Sequence, residues 1–196
     1  TPILERYLTN CQNDTSIDFS DLWVHCGMTA SLSGGLGRLI GDLESDVCFT
    51  AGLIHDAGFV ALSAYCPKEL AIAFETSRSE NISLFDAEKK VLGFNSSDVG
   101  MELMNAWNFP ESLVDLYRSN DNDDKSSWVS KPIAVVILAK LLLKEWGYSD
   151  FSQMQEELDK ERLLQFLEIT TDDLSNWEVE LRKYVMLAMS ALKEER

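Results

Sequence analysis

Ala51-Gly52-Leu53-Ile54-His55-Asp56-Ala57-Gly58 is the stretch on which this chain turns. Its first half continues an apolar segment that Asp46 opens and that carries Phe49, Leu53 and Ile54 at helical spacing. It ends on a His-Asp pair, which sets a ring nitrogen and a carboxylate side by side. Thirty residues upstream, in Leu22-Trp23-Val24-His25-Cys26, stands the other of the chain's two histidines. That segment is helical too: Leu22, Cys26, Thr29, Leu32, Leu36, Leu39, Ile40 and Leu43 share one face, after a cap at Asp18 or Ser20. A His on one helix and a His-Asp pair at the end of the next can converge on a divalent ion, since imidazole and carboxylate are suitable ligands. They can equally form a hydrogen-bonded structural cluster, and spacing alone does not choose.

Outward from this pair the pattern stays helical. Pro67 suits a first turn ahead of Leu70, Ala71 and Phe74. Asp86 is placed to cap Ala87 to Leu92, with Gly93 as the left-handed residue after it. Ser96 or Ser97 begins a helix through Val99, Leu103 and Trp107, and Pro110 precedes Leu113, Val114 and Tyr117. Asn120 to Lys125 has no apolar period and reads as a loop. A long apolar helix runs from near Pro132 to before Gly147. Phe151 to Arg196 holds two or three more helices, one capped by Thr171 and carrying Leu174, Trp177, Leu181, Tyr184, Val185, Ala188 and Leu192. No segment alternates as a strand does, so the fold is expected to be all-α.

Composition narrows the function. Thirty-three acids against 17 bases in 196 residues give a net charge of -16. Nucleic acid and anionic membrane are excluded as main partners, because both are held through clustered Lys and Arg. The run Ile133 to Leu143 is broken by Lys140 and falls short of the roughly 20 residues that span a bilayer. Cys11, Cys26, Cys48 and Cys66 form no Cys-x-x-Cys pair; they are expected to be reduced and mostly buried, which points to the cytoplasm. Gly34-Gly35-Leu36-Gly37 lacks the strand and the Lys-Ser/Thr of a phosphate loop, so close helix packing is expected there. Asp121, Asp123 and Asp124 lack the Gly and terminal Glu of a calcium loop and read as solvated.

The octapeptide around His55, together with the Trp23–His25 segment, resembles the signature of the HD superfamily. The match is closer to its HDOD branch, a bacterial signalling and regulatory module. Glu88-Lys89-Lys90-Val91-Leu92-Gly93-Phe94, the Val99-Gly100 helix start and Met104-Asn105-Ala106-Trp107-Asn108-Phe109-Pro110 follow in the family's order, and the resemblance runs from Phe19 to Leu192. It implies an HD-superfamily-like helical bundle over residues 21–196. Residues 1–20 would be the remnant of a missing N-terminal helical portion.

Catalytic HD phosphohydrolases add ligands that this chain replaces. By the family's spacing a further His falls at Ser96, a His pair near Asn120 and Asp121, and a late Asp at Lys140. An ammonium has no lone pair for a cation and repels it. The resemblance therefore implies a vestigial pocket of His25, His55, Asp56, Ser96, Asn120, Asp121 and Lys140, with no catalytic residue, no held metal and no cofactor. Lys140 is expected to pair with Asp56, taking the place of the ion. Function would run through contacts with a protein partner or an attached receiver or signalling domain, and the isolated chain is expected either to self-associate, a homodimer being one form, or to use Thr1 to Ser20 as a partial cover of its apolar face. The alternative is a metal-dependent phosphohydrolase acting on a nucleotide or cyclic dinucleotide, with His25, His55 and Asp56 as its ligands.

Overall fold

The computed structural model describes residues 19–118, 130–148 and 160–193. Over these the chain is all-α, in the order α1 (Phe19–Ile40), α2 (Ser45–Ile54), α3 (Ala57–Tyr65), α4 (Pro67–Glu80), α5 (Leu84–Leu92), α6 (Ser96–Ala106), α7 (Glu111–Arg118), α8 (Lys131–Glu145), α9 (Lys160–Leu167) and α10 (Thr171–Lys193). The expected remnant segment, Cys11, Asn120, Asp121 and the Asn120–Lys125 loop lie outside the described residues, apart from the start of α1.

α1 is central because two of its faces serve different cores. Val24, Met28, Leu32 and Leu36 join α8, α9 and α10 in the largest apolar cluster. Leu22 and Cys26 face α3, α4 and α5 in a second. A third gathers Ala51 of α2, Met104 of α6, Leu113 to Tyr117 of α7, and Ile133 and Val136 of α8. Ile133, Leu138 and Leu143 of α8 are each 1% exposed or less. Full burial of such a side chain contributes about 1.5–3 kcal/mol, which is why α8 is apolar nearly all round.

The glycine run of α1 is a packing device, as expected. A Cβ on Gly34 would meet Phe49 at 3.2 Å, on Gly35 the Tyr184 ring at 2.6 Å, and on Gly37 the Cys48 sulfur at 2.9 Å. The run thus lets α2 and α10 approach α1 from two sides. Cys26 and Cys48 are buried free thiols and Cys66 is a partly buried one.

Two helix caps differ from expectation by one to three residues, for a single reason. Ser83, not Asp86, caps α5: its hydroxyl accepts from the Asp86 N–H at 3.0 Å and donates back to the Asp86 carboxylate at 2.6 Å. α6 starts at Ser96, as expected, with Asn95 capping it in a reciprocal box with Asp98. Thr170, not Thr171, does the same with Asp173 ahead of α10. In each case the Asp sits at the third helical position, where it returns to the cap's own backbone or hydroxyl. Gly93 takes the expected left-handed conformation at φ 86°, and Gly147, before which α8 was expected to end, takes it at φ 74°.

The apolar-run expectation needs correcting. Ser45–Tyr65 is a 21-residue stretch of mean hydropathy 1.5, longer than the Ile133–Leu143 run, and by length and composition it is apolar enough to cross a bilayer. Half of it is buried inside the protein, where it folds as α2 and α3 with His55 and Asp56 between them.

Candidate functional site

The break between α2 and α3 builds the site. His55 closes α2 in helical geometry, and Asp56 follows at φ −110°, ψ 16°, the sparsely used bridge region. Close approach enforces the turn. A Cβ on Gly58 would stand 1.9 Å from the Ser96 carbonyl oxygen, so α3 crosses α6 backbone to backbone. Gly100 does the same for the Tyr117 ring, and the Tyr117 hydroxyl donates to the Ile54 carbonyl at the end of α2.

His25, His55 and Asp56 are brought together as expected. They are 2%, 4% and 8% exposed. The His55 Nδ1–H donates to the Gly52 carbonyl at 2.8 Å, which assigns that proton and turns Nε2 inward. There Nε2 lies 3.2 Å from the His25 Nε2 and 3.1 Å from an Asp56 oxygen, and His25 Nε2 is 3.5 Å from the same oxygen. Three atoms that all carry lone pairs need a proton or a cation among them.

Electrostatics favours an anionic aspartate against a neutral ring. Burial, then the neighbouring His55, lowers His25 from 6.5 to about 3; Asp56 opposes this and Lys140 adds to it. Burial works against the Asp56 charge, yet His55, Lys140, the His55 hydrogen bond and His25 together hold its carboxyl below the usual range. Cys26, beside His25, is pushed well above the ordinary thiol range by burial, so it is no nucleophile.

The expected pair of Lys140 with Asp56 is not formed. Within 4.0 Å, and among the described residues, one Asp56 oxygen has the His25 and His55 ring nitrogens beside it and Asp56 has no contact with the Lys140 ammonium. The partly buried Lys140 on α8 acts on Asp56, His25 and Cys26 through its charge from further away.

For a divalent metal the donor types suit, and the three ligand atoms lie within 4.8 Å of one another. Charge does not suit: among the described residues the set is these three, and the further group bearing on it is the Lys140 ammonium, which opposes a tightly held cation.

Ser96 does join the site. It lines a small, partly open pocket with His55, Asp56, Phe59, Phe85, Ser97 and Tyr117. Behind it lies Glu88, a residue whose role sequence reasoning missed. Glu88 is fully buried; one carboxylate oxygen accepts from the Ser96 N–H at 2.7 Å and from its hydroxyl at 2.8 Å. The other oxygen, like the Ser97 hydroxyl, has no hydrogen-bond partner. Burial raises Glu88 to about 7, against the two Ser96 bonds, with Asp56 and Asp98 adding to the rise. The signal was present: Leu84, Ala87, Glu88 and Val91 form one apolar stripe, in which a carboxylate is out of place.

The fold recurs in other bacterial proteins. An HDOD domain protein of unknown function from Geobacter sulfurreducens superposes with a TM-score of 0.70 at 20% identity, covering 93% of this chain and 66% of that one. A Marinobacter aquaeolei VT8 protein provisionally named for signal transduction gives 0.72 at 18%, covering 92% and 40%. A Shewanella amazonensis SB2B protein provisionally named a phosphohydrolase gives 0.69 at 20%, covering 97% and 70%. In sequence the chain is 24% identical over 163 residues to an uncharacterized protein of Treponema pallidum (strain Nichols), spanning 81% of this chain but 30% of that protein. The family model for the HDOD domain matches residues 4–122. That match takes in α1 to α7 and every member of the histidine–aspartate cluster, and with the helical fold it makes this chain a member of the HDOD domain family.

Proposed function

We propose that this chain is a non-catalytic signal-transduction module of the HDOD type, acting in the cytoplasm through protein contacts, in which His25, His55 and Asp56 form a structural joint. One observation carries the reading: His25, His55 and Asp56 are buried with their ring nitrogens and carboxylate turned on one another within 3.5 Å, and the His55 Nδ1–H is tied to the Gly52 carbonyl, so their polar atoms are engaged within the protein. The charge of Lys140 supports the same reading, since it does part of what an ion would do for the aspartate. The signalling name of the Marinobacter neighbour agrees with it. The chain spans 30% of its Treponema relative, which is consistent with a module acting beside an attached receiver or signalling domain. The relay would be mechanical: an input that shifts α1 or α6 moves the α2–α3 joint, and a partner reads the change.

A second reading has its own observation. The three donor atoms within 4.8 Å are those a metal-dependent phosphohydrolase would use, and the Shewanella neighbour carries that provisional name. One experiment separates the two. Elemental analysis of untagged protein is expected to find well under one equivalent of Mn, Fe, Zn or Ni. With added Mn²⁺, nucleotide and cyclic dinucleotide substrates are expected to turn over no faster with wild type than with His55→Ala/Asp56→Ala. A stoichiometric metal, with hydrolysis lost in that variant, overturns the proposal in favour of the phosphohydrolase.

A further inference from the structure

The 23-residue helix α10 buries one face and leaves the other unpartnered. Leu174, Leu181 and Val185 are buried, and Tyr184 lies against Gly35 of α1. On the opposite side Val179, Met186 and Leu187 are 70%, 61% and 67% exposed. Their spacing of seven and eight residues is two helical turns, so they form one stripe rather than scattered apolar positions. On the same stripe stand Glu180 and Lys183, both exposed and neither in an ion pair among the described residues.

We propose that this face is where two copies of the chain pair, α10 against α10 in antiparallel fashion about a two-fold axis near Lys183. The pattern is self-complementary. An antiparallel register centred on residue 183 sets Val179 of one copy beside Leu187 of the other, and the reverse by symmetry. The same register sets the two Lys183 ammoniums beside each other at the axis and brings Glu180 of each copy within one turn of Lys183 of the other, so two opposite-charge contacts flank one like-charge contact. A chain of net charge -16 repels its own copies over most of its surface. A stripe with apolar side chains and both signs of charge is where that repulsion is weakest. A single helix pair is a small interface beside the ~1,200 Å² typical of stable complexes, so the pairing is a weak, concentration-dependent one.

Sedimentation equilibrium on the full chain tests this. Wild type is expected to pass from monomer to dimer with rising concentration, and Met186→Glu/Leu187→Glu to stay monomeric. Glu180→Lys turns two attractions into repulsions and should weaken the dimer about tenfold. Glu180→Lys/Lys183→Glu restores opposite charges across the axis and should recover wild-type association. All four positions are exposed, and circular dichroism checks that each variant keeps its helix content. A wild type that stays monomeric throughout overturns the proposal and leaves the face to a different partner. So does a dimer that survives Met186→Glu/Leu187→Glu, or a charge swap that fails to restore pairing.

Discussion

Replacing Glu88 by Gln removes a buried charge while keeping the shape that Ser96 binds. The amide oxygen of Gln can still accept from the Ser96 N–H and hydroxyl, now accepted by Glu88 at 2.7 and 2.8 Å. What disappears is titration. In the folded protein the Glu88 carboxyl sits at about 7, against an ordinary 4.5. Between these values the native state holds a proton that the unfolded chain has released. Stability from this group is therefore full below pH 4.5 and declines as pH rises, levelling off once the pH has passed 7. At 1.36 kcal/mol per pH unit the whole decline is about 3 kcal/mol. Other carboxylates also titrate here, so the quantity to measure is the difference between the two proteins. Urea unfolding of wild type and Glu88→Gln at pH 5, 6, 7 and 8 should show Gln gaining on wild type by about 2–3 kcal/mol across the series, most of it by pH 7. Parallel stability curves would refute the reasoning: Glu88 would then ionise in the native state as it does in water.

Asp56→Asn should destabilise by about 3 kcal/mol or more in urea unfolding, because Asp56 is the acceptor that His25 and His55 both face; Lys140→Met, which touches no Asp56 oxygen, should cost clearly less, and the reverse order would mean a direct ion pair. Gly58→Ala should cost more than 3 kcal/mol or abolish folding, since its Cβ would stand 1.9 Å from a backbone oxygen of Ser96, whereas Gly34→Ala meets only the Phe49 side chain at 3.2 Å and should cost less. Comparable thermal midpoints for the two glycine variants would show that α3 and α6 are not locked at that crossing.

Local signals carried most of the architecture. Apolar spacing of three and four residues marked α1, α2 and α10. Pro67 and Pro132 marked two helix starts, and Gly93 and Gly147 two ends, because these residues act on the backbone of their own turn. Two caps slipped by one to three residues because Ser83 and Thr170 each compete with another capping residue nearby. The choice rests on which one has an Asp three positions on. The division between α2 and α3 was half legible: the His-Asp pair was noticed, but Ala57–Tyr65 as a separate helix depends on how Gly58 meets α6.

Sequence by itself determined that the fold is helical, that His25, His55 and Asp56 belong together, and that the family is HDOD, since each rests on near-neighbour spacing or on an ordered series of short motifs. Tertiary structure decided the rest. It placed Lys140 outside contact with Asp56 and buried Glu88 under Ser96. These are distances between side chains on different helices, set by how closely glycine crossings let those helices approach. Periodicity names the face a residue occupies, whereas the helix that meets that face, and at what separation, is a property of the packed whole.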